Sequence, residues 1–450
     1  MPHRSPDSEG RLSDPPVVAS VAPATTRPAF PEFERGTLPP WALVRQRLDA
    51  TEIGDVREAV RAALEPVVGV VRPGERVCIA VGSRGIDRLD SVVRATVERL
   101  QEAGASVFIV PAMGSHGGAT AEGQREVLAG YGITADSMGC EIRSSMETVD
   151  LGEVRPGVPV FVDRHAFEGA DLIIPVNRVK VHTDFTGPVE SGLMKMIAIG
   201  LGKQKGADTF HRQGFAVFHE LIPAAAAHTL ARAPIPFGLA LVENGYARLR
   251  HVEAVPADLI ATREPELLAM ATDAMARLPL DSIDVLILDA IGKDVSGLGM
   301  DSKVVGRYYA GPTGTSPAIQ RIVVRDLTDQ TDGNGVGIGM ADVALRRAVE
   351  KIDYRKTYMN SITAKTPEGV RVALTVDSDR EALAIALACC LKVAPETSRI
   401  VRARDTKHLD LLYVSAPALA DVLATGRCEV VEPLRPIAFD GAGMLADRFA

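Results

Sequence analysis

Four side chains in the first half of this 450-residue chain have the types and spacing to do chemistry together: His116, His182, Lys195 and His211. Lys195 stands in the run 190-ESGLMKMIAIGLG-202, among small and apolar neighbours, with His182 and His211 bracketing it. A lysine on an apolar element ordinarily extends its amine to water. An enclosed amine is driven toward its neutral, nucleophilic form, which suits covalent attachment of a carbonyl- or thioacid-bearing group. His116 sits in 114-GSHGGAT-120, where glycines allow positive φ and a following helix offers free N–H groups to an anion. Ser115, Gly117 and Gly118 are the backbone positions of that loop which would cradle it. Arg84, beside Ser83 in 82-GSRG-85, carries a permanently charged fork suited to phosphate or carboxylate. From the second half, 296-SGLGMDSKVVGR-307 offers Asp301, Lys303 and Arg307 to close over a small anion.

Each residue also has an ordinary reading. A loop histidine can be merely exposed, His182 merely a satisfied polar group, and Arg84 a surface charge. His165, His219, His228, His251 and His408 lack comparable loops and are assigned to structure or solvent. The run 332-DGNGVGIGM-340 matches neither a P-loop nor GxGxxG and is read as a flexible loop.

The elements that must position these residues alternate between strand and helix. An apolar strand in 76-RVCIAVGSRG-85 leads to a helix at 88–104, stopped by Gly104. A strand at 106–113 runs into the His116 loop, and Thr120 is placed to cap a helix from Ala121 to about Ala129. A further strand, 171–181, ends at His182, and 190–202 reads as helical. The three informative loops thus fall at the carboxyl ends of strands, where open α/β sheets bind ligands. A helix at 264–278 links to a second strand–helix series, with strands at 281–292, 320–327, 370–376 and 410–416 and a helix at 340–352. The expected architecture is α/β: two domains with mainly parallel sheets and the active site in the cleft between them. The expected bounds are a disordered Pro/Ser/Thr-rich leader at 1–35, a first domain at 36–276 and a second at 277–450.

Composition narrows the function. A net charge of −8 argues against nucleic acid and against an anionic membrane surface. No apolar run reaches the roughly 18 residues of a membrane span, and no signal peptide is visible, so a cytoplasmic setting is expected. The five cysteines show no CxxC, and Cys389 and Cys390 read as core, so any metal falls to histidine or carboxylate.

Taken in order, the GSH loop, the strand-end histidine, the lysine and the histidine after it resemble the nickel-pincer-dependent lactate racemase family. The resemblance covers about residues 45 to 275 and, more loosely, the second unit. It implies that Lys195 anchors the cofactor, the pyridinium-3-thioamide-5-thiocarboxylate mononucleotide, and that His211 completes the planar Ni2+ site. It implies His116 and His182 as the two acid–base histidines, and Arg84 as a cofactor or substrate contact. Lys303 and Arg307 are the substrate candidates of the second unit. The implied reaction is racemisation or epimerisation of a small 2-hydroxy acid by proton-coupled hydride transfer to the cofactor, through a 2-keto acid. Cofactor-biosynthesis enzymes are the implied loading partners. The link 183-TDFTGPVESGLM-194 departs most from the family pattern and is expected to shape substrate choice. A non-catalytic carrier of the nucleotide is the alternative. A zinc hydrolase built on His116, His182 and His211 lacks an HExxH or carboxylate-rich ligand set.

Overall fold

A computed structural model describes residues 29–34, 36–82, 85–308 and 317–449. Most of the expected leader, 1–28, lies outside the described residues, as do Ser83 and Arg84. Where the leader enters, Pro31–Phe33 forms a turn of 3-10 helix, and the Phe30 amide donates to Glu381 Oε1 at 2.8 Å.

Two sheets organise the chain. The first has six strands in the order Glu141–Ile142, Ser106–Pro111, Arg76–Val81, Leu172–Arg178, Phe237–Glu243 and Leu249–Pro256. All neighbours pair parallel except the last two strands, which are antiparallel. Alternation along Arg76–Val81 sends Cys78 and Ala80 into one core and Val77, Ile79 and Val81 into the other. A strand buried on both faces reads as a continuous apolar run, which is why the sequence marks these strands clearly. From Arg76–Val81 the chain moves outward to Ser106–Pro111, then returns to the opposite side at Leu172–Arg178. A reversal of this kind is where open α/β sheets place a ligand crevice, at the carboxyl ends of adjacent strands, and Gly82 and His182 follow those ends. A hairpin, Thr148–Arg155 with Val158–Asp163, stands apart from the sheet.

The second sheet has eight strands, in the order Leu374–Val376, Val343–Leu345, Ala318–Val324, Ser282–Leu288, Ile400–Ala403, Leu411–Ser415, Trp41–Gln46 and Cys428–Arg435. The first five are parallel, and the remaining pairings are antiparallel. Here the expected boundary at residue 36 is corrected. Trp41–Gln46 pairs with Leu411–Ser415 and Cys428–Arg435, so the chain starts in the second sheet, builds the first, and comes back. Trp41 is wholly buried, stacks on Tyr413 at 4.8 Å between ring centroids, and donates from Nε1 to Asp447 Oδ2 at 2.8 Å.

Three smaller expectations change as well. The helix expected over 340–352 opens with a buried strand, Val343–Leu345, and only Arg346–Glu350 is helical. The glycine-rich run at 332–340 is packed rather than flexible: a Cβ on Gly339 would lie 2.0 Å from Glu368 O. Its glycines serve close backbone approach. Cys389 is exposed and Cys390 half-buried, because the helix Asp379–Ala388 ends just before them. Among the described residues no helix is long and apolar enough to cross a membrane.

Candidate functional site

The lysine segment is assembled from an interrupted helix. Leu193–Lys195 makes one α-turn, and Met196–Gly200 then widens into a π-turn in which the Leu201 amide reaches back to Met196 O at 2.9 Å. Such turns insert a residue and re-aim the side chains around them. All five residues of the π-turn are buried. Two groups hold its start: Asn177 Nδ2 donates to Gly192 O at 2.8 Å, and Glu264 Oε2 accepts the Met194 amide at 2.9 Å. Burial raises the Glu264 carboxyl to about 7, against smaller opposing effects from the amides of Met194 and Leu193.

His182 meets Lys195 directly, Nε2 against Nζ. Its other nitrogen, Nδ1, accepts the Asp184 amide at 3.0 Å. The His182 backbone amide donates to Glu190 Oε2 at 2.5 Å, and burial pushes the Glu190 carboxyl up. Phe185 lies against the imidazole at 4.4 Å between centroids.

His211 ends the helix Lys203–His211, which follows the π-turn. Burial, and next the charge of Lys195, lower its pKa to about 4. The ring is therefore neutral at pH 7, the form that binds metals. Its Nδ1 is buried without a hydrogen-bond partner, while Phe215 and Phe218 wall the ring at 5.4 and 5.7 Å. A buried imidazole nitrogen without a hydrogen-bond partner fits the role of a metal ligand.

His116 precedes a short 3-10 turn, Gly117–Ala119, and is half-buried, as is Ser115. Gly117, Gly118 and Ala119 all take positive φ. A Cβ on Gly117 would fall 2.5 Å from the Gln124 amide nitrogen, so only glycine fits. Thr120 caps the following helix, Ala121–Gly130, by accepting the Gly123 amide. The loop is stitched to the lysine segment, because the Gly114 amide donates to Gly200 O at 3.2 Å.

The structure thus joins His182, Lys195 and His211 and fastens the His116 loop beside them. From the second unit, Ser302 Oγ donates to Thr183 O at 2.5 Å, Lys303 Nζ donates to Thr186 Oγ1, and Asp301 faces Lys180 at 3.7 Å. Arg307 is not brought in. Its guanidinium is spent on Met340 O at 2.6 Å and Asp342 Oδ2 at 2.7 Å, where it ties neighbouring strands together. Among the described residues no group of three or more His, Cys, Asp or Glu side chains is arranged to hold a metal. Sequence reasoning missed Glu264, Glu190 and Asn177. Only Glu190, eight residues after His182 and close before Lys195, carries a local signal.

Fold and site together define an α/β protein in which a lysine on an interrupted helix meets a histidine that follows a parallel strand. Residues 42–220 match the lactate racemase N-terminal domain family. The lactate racemase apoprotein of Thermoanaerobacterium thermosaccharolyticum is similar in fold, with TM-score 0.52 and 15% identity over 84% of this chain and 95% of that one. No curated protein sequence matches this chain.

Proposed function

We propose that this protein racemises or epimerises a small 2-hydroxy acid with a nickel-pincer nucleotide as cofactor. The observation that carries the reading is the buried His211 Nδ1, without a hydrogen-bond partner, close to the Lys195–His182 pair. Lys195 would anchor the nucleotide and His211 would supply the protein's ligand to nickel; imidazole with sulfur donors suits Ni(II). When bound, the nucleotide offers a hydride acceptor to the substrate's α-carbon.

The remaining work falls to the protein's own groups. The His182 and His116 imidazoles would take and return the hydroxyl proton from opposite sides of the substrate, each serving as base in one direction and acid in the other. Phe185, Phe215 and Phe218 exclude water from this corner. Lys303, reaching from the second unit onto the 183–187 link, supplies positive charge for the substrate carboxylate. Substrate would enter between the two units.

The test is to co-express the chain with the cofactor-making enzymes, then measure nickel content and the mass of the Lys195 peptide. Loaded protein is next screened for racemisation of 2-hydroxy acids. Expected are stoichiometric nickel, a mass increase on that peptide, and turnover that His116→Ala abolishes without loss of loading. Loading without turnover on any 2-hydroxy acid would identify a carrier instead. Absence of both nickel and the mass increase would sink the proposal.

A further inference from the structure

Lys203 is the one lysine among the largest fully buried side chains of the described residues, and it takes no part in the chemistry above. It opens the helix that ends at His211, and its backbone is left-handed, with φ 54°. A residue with a Cβ is held there only when its surroundings demand it. The surroundings are polar and specific. Lys203 Nζ lies 2.9 Å from Asp163 Oδ2, donates to Pro111 O at 2.5 Å and donates to Gln124 Oε1 at 3.1 Å. Asp163 is fixed in turn by the Ala166 amide at 2.9 Å. Gln124, wholly buried, turns its amide nitrogen the other way and donates to Gly114 O at 2.8 Å and His116 O at 3.3 Å.

This ion pair and these hydrogen bonds form a continuous path from the hairpin, through the first residue of the His211 helix, to the two carbonyls flanking Ser115. A buried cation costs a great deal to desolvate, and apolar packing would have held the same elements together more cheaply. What apolar packing lacks is direction: a hydrogen-bonded ammonium sets where each partner stands. We propose that Lys203, with Asp163 and Gln124, is a positioning device that fixes the His116 loop relative to the helix carrying His211. The inference rests on the racemase reading for its purpose, since two-sided proton transfer needs His116 at a set distance from the metal ligand. Its geometry stands without that reading. Lys203 touches neither substrate nor cofactor and is a positioning residue.

The experiment uses the full chain without cofactor. Gln124→Met keeps the volume and the Lys203–Asp163 pair but releases both loop carbonyls. Diethylpyrocarbonate labelling followed by peptide mass spectrometry gives the modification rate of His116, with exposed His219 as internal reference. Unfolding temperature is measured alongside. The expected result is a His116/His219 rate ratio changed by about fivefold, the equilibrium equivalent of one net hydrogen bond, in protein that still unfolds cooperatively. Gln124→Glu at pH 8 is the second variant: it leaves an acceptor for Lys203 but no N–H for the loop, and should change the ratio likewise. An unchanged ratio in a folded variant overturns the proposal, whatever happens to the unfolding temperature. Because the assay involves neither nickel nor substrate, its failure is distinct from failure of the racemase reading.

Discussion

At the scale of single residues, Glu264 and His211 pull stability in opposite directions as pH changes. The Glu264 carboxyl is raised by burial, so the folded state holds more protons than the unfolded one between about 4.5 and about 7. Its contribution is fully present below that window and is lost as pH rises through about 7. For His211, lowered from 6.5 to about 4, the unfolded state holds more protons, so stability falls as pH drops below 6.5. Where the windows overlap, the two slopes, each at most about 1.4 kcal/mol per pH unit, partly cancel. Glu264→Gln should leave stability rising with pH across that range and should raise the unfolding temperature at pH 8; thermal melts from pH 5 to pH 8 decide it. His211→Ala should weaken retention of nickel in loaded protein by more than about 100-fold, the upper end of what losing an outer-shell partner costs. Metal analysis after dialysis reads that directly. Sequence alone made the histidines and Lys195 legible, because each departs from its local composition. Glu264 was not legible, since a glutamate in a helix seventy positions from its Met194 partner looks like any surface residue.

At the scale of elements, the π-turn after Lys195 is the part that periodicity could not reveal. In Met196–Gly200 every residue is buried, so no polar face marks the turn and the run reads as an ordinary apolar helix. Its close seat depends on Gly200, where a Cβ would stand 2.8 Å from Ala112 O. Gly200→Ala should destabilise the protein by about 1–3 kcal/mol, as overpacking does, and should loosen the Gly114 bond that ties in the His116 loop. Urea unfolding measures the first effect. The parallel strands around the crevice were legible from their two-faced burial. Val343–Leu345 was not, because three apolar residues running into a helix share its pattern.

At the scale of the whole molecule, the departure from expectation lies in Trp41–Gln46, which belongs to the second sheet though it precedes the first unit. Strand pairing over such a distance leaves no local trace in sequence. A chain lacking residues 1–46 should keep the first sheet but lose the strand between Leu411–Ser415 and Cys428–Arg435. Limited proteolysis should then cut the second unit quickly while the first resists, and equal resistance of both would contradict this assignment.

That same strand has a consequence for how the protein is made. Trp41 is held by Asp447, 406 positions later, so the early strand leaves the ribosome long before its partners exist. Meanwhile all six strands of the first sheet, the last ending at Pro256, have already been made. The second sheet can close only near the end of synthesis, around a unit already formed, and an apolar strand must stay unpaired until then. Slow closure of this kind exposes the nascent chain to aggregation. Yield on expression should therefore depend on translation speed and chaperone supply more than the stability of the finished fold would suggest.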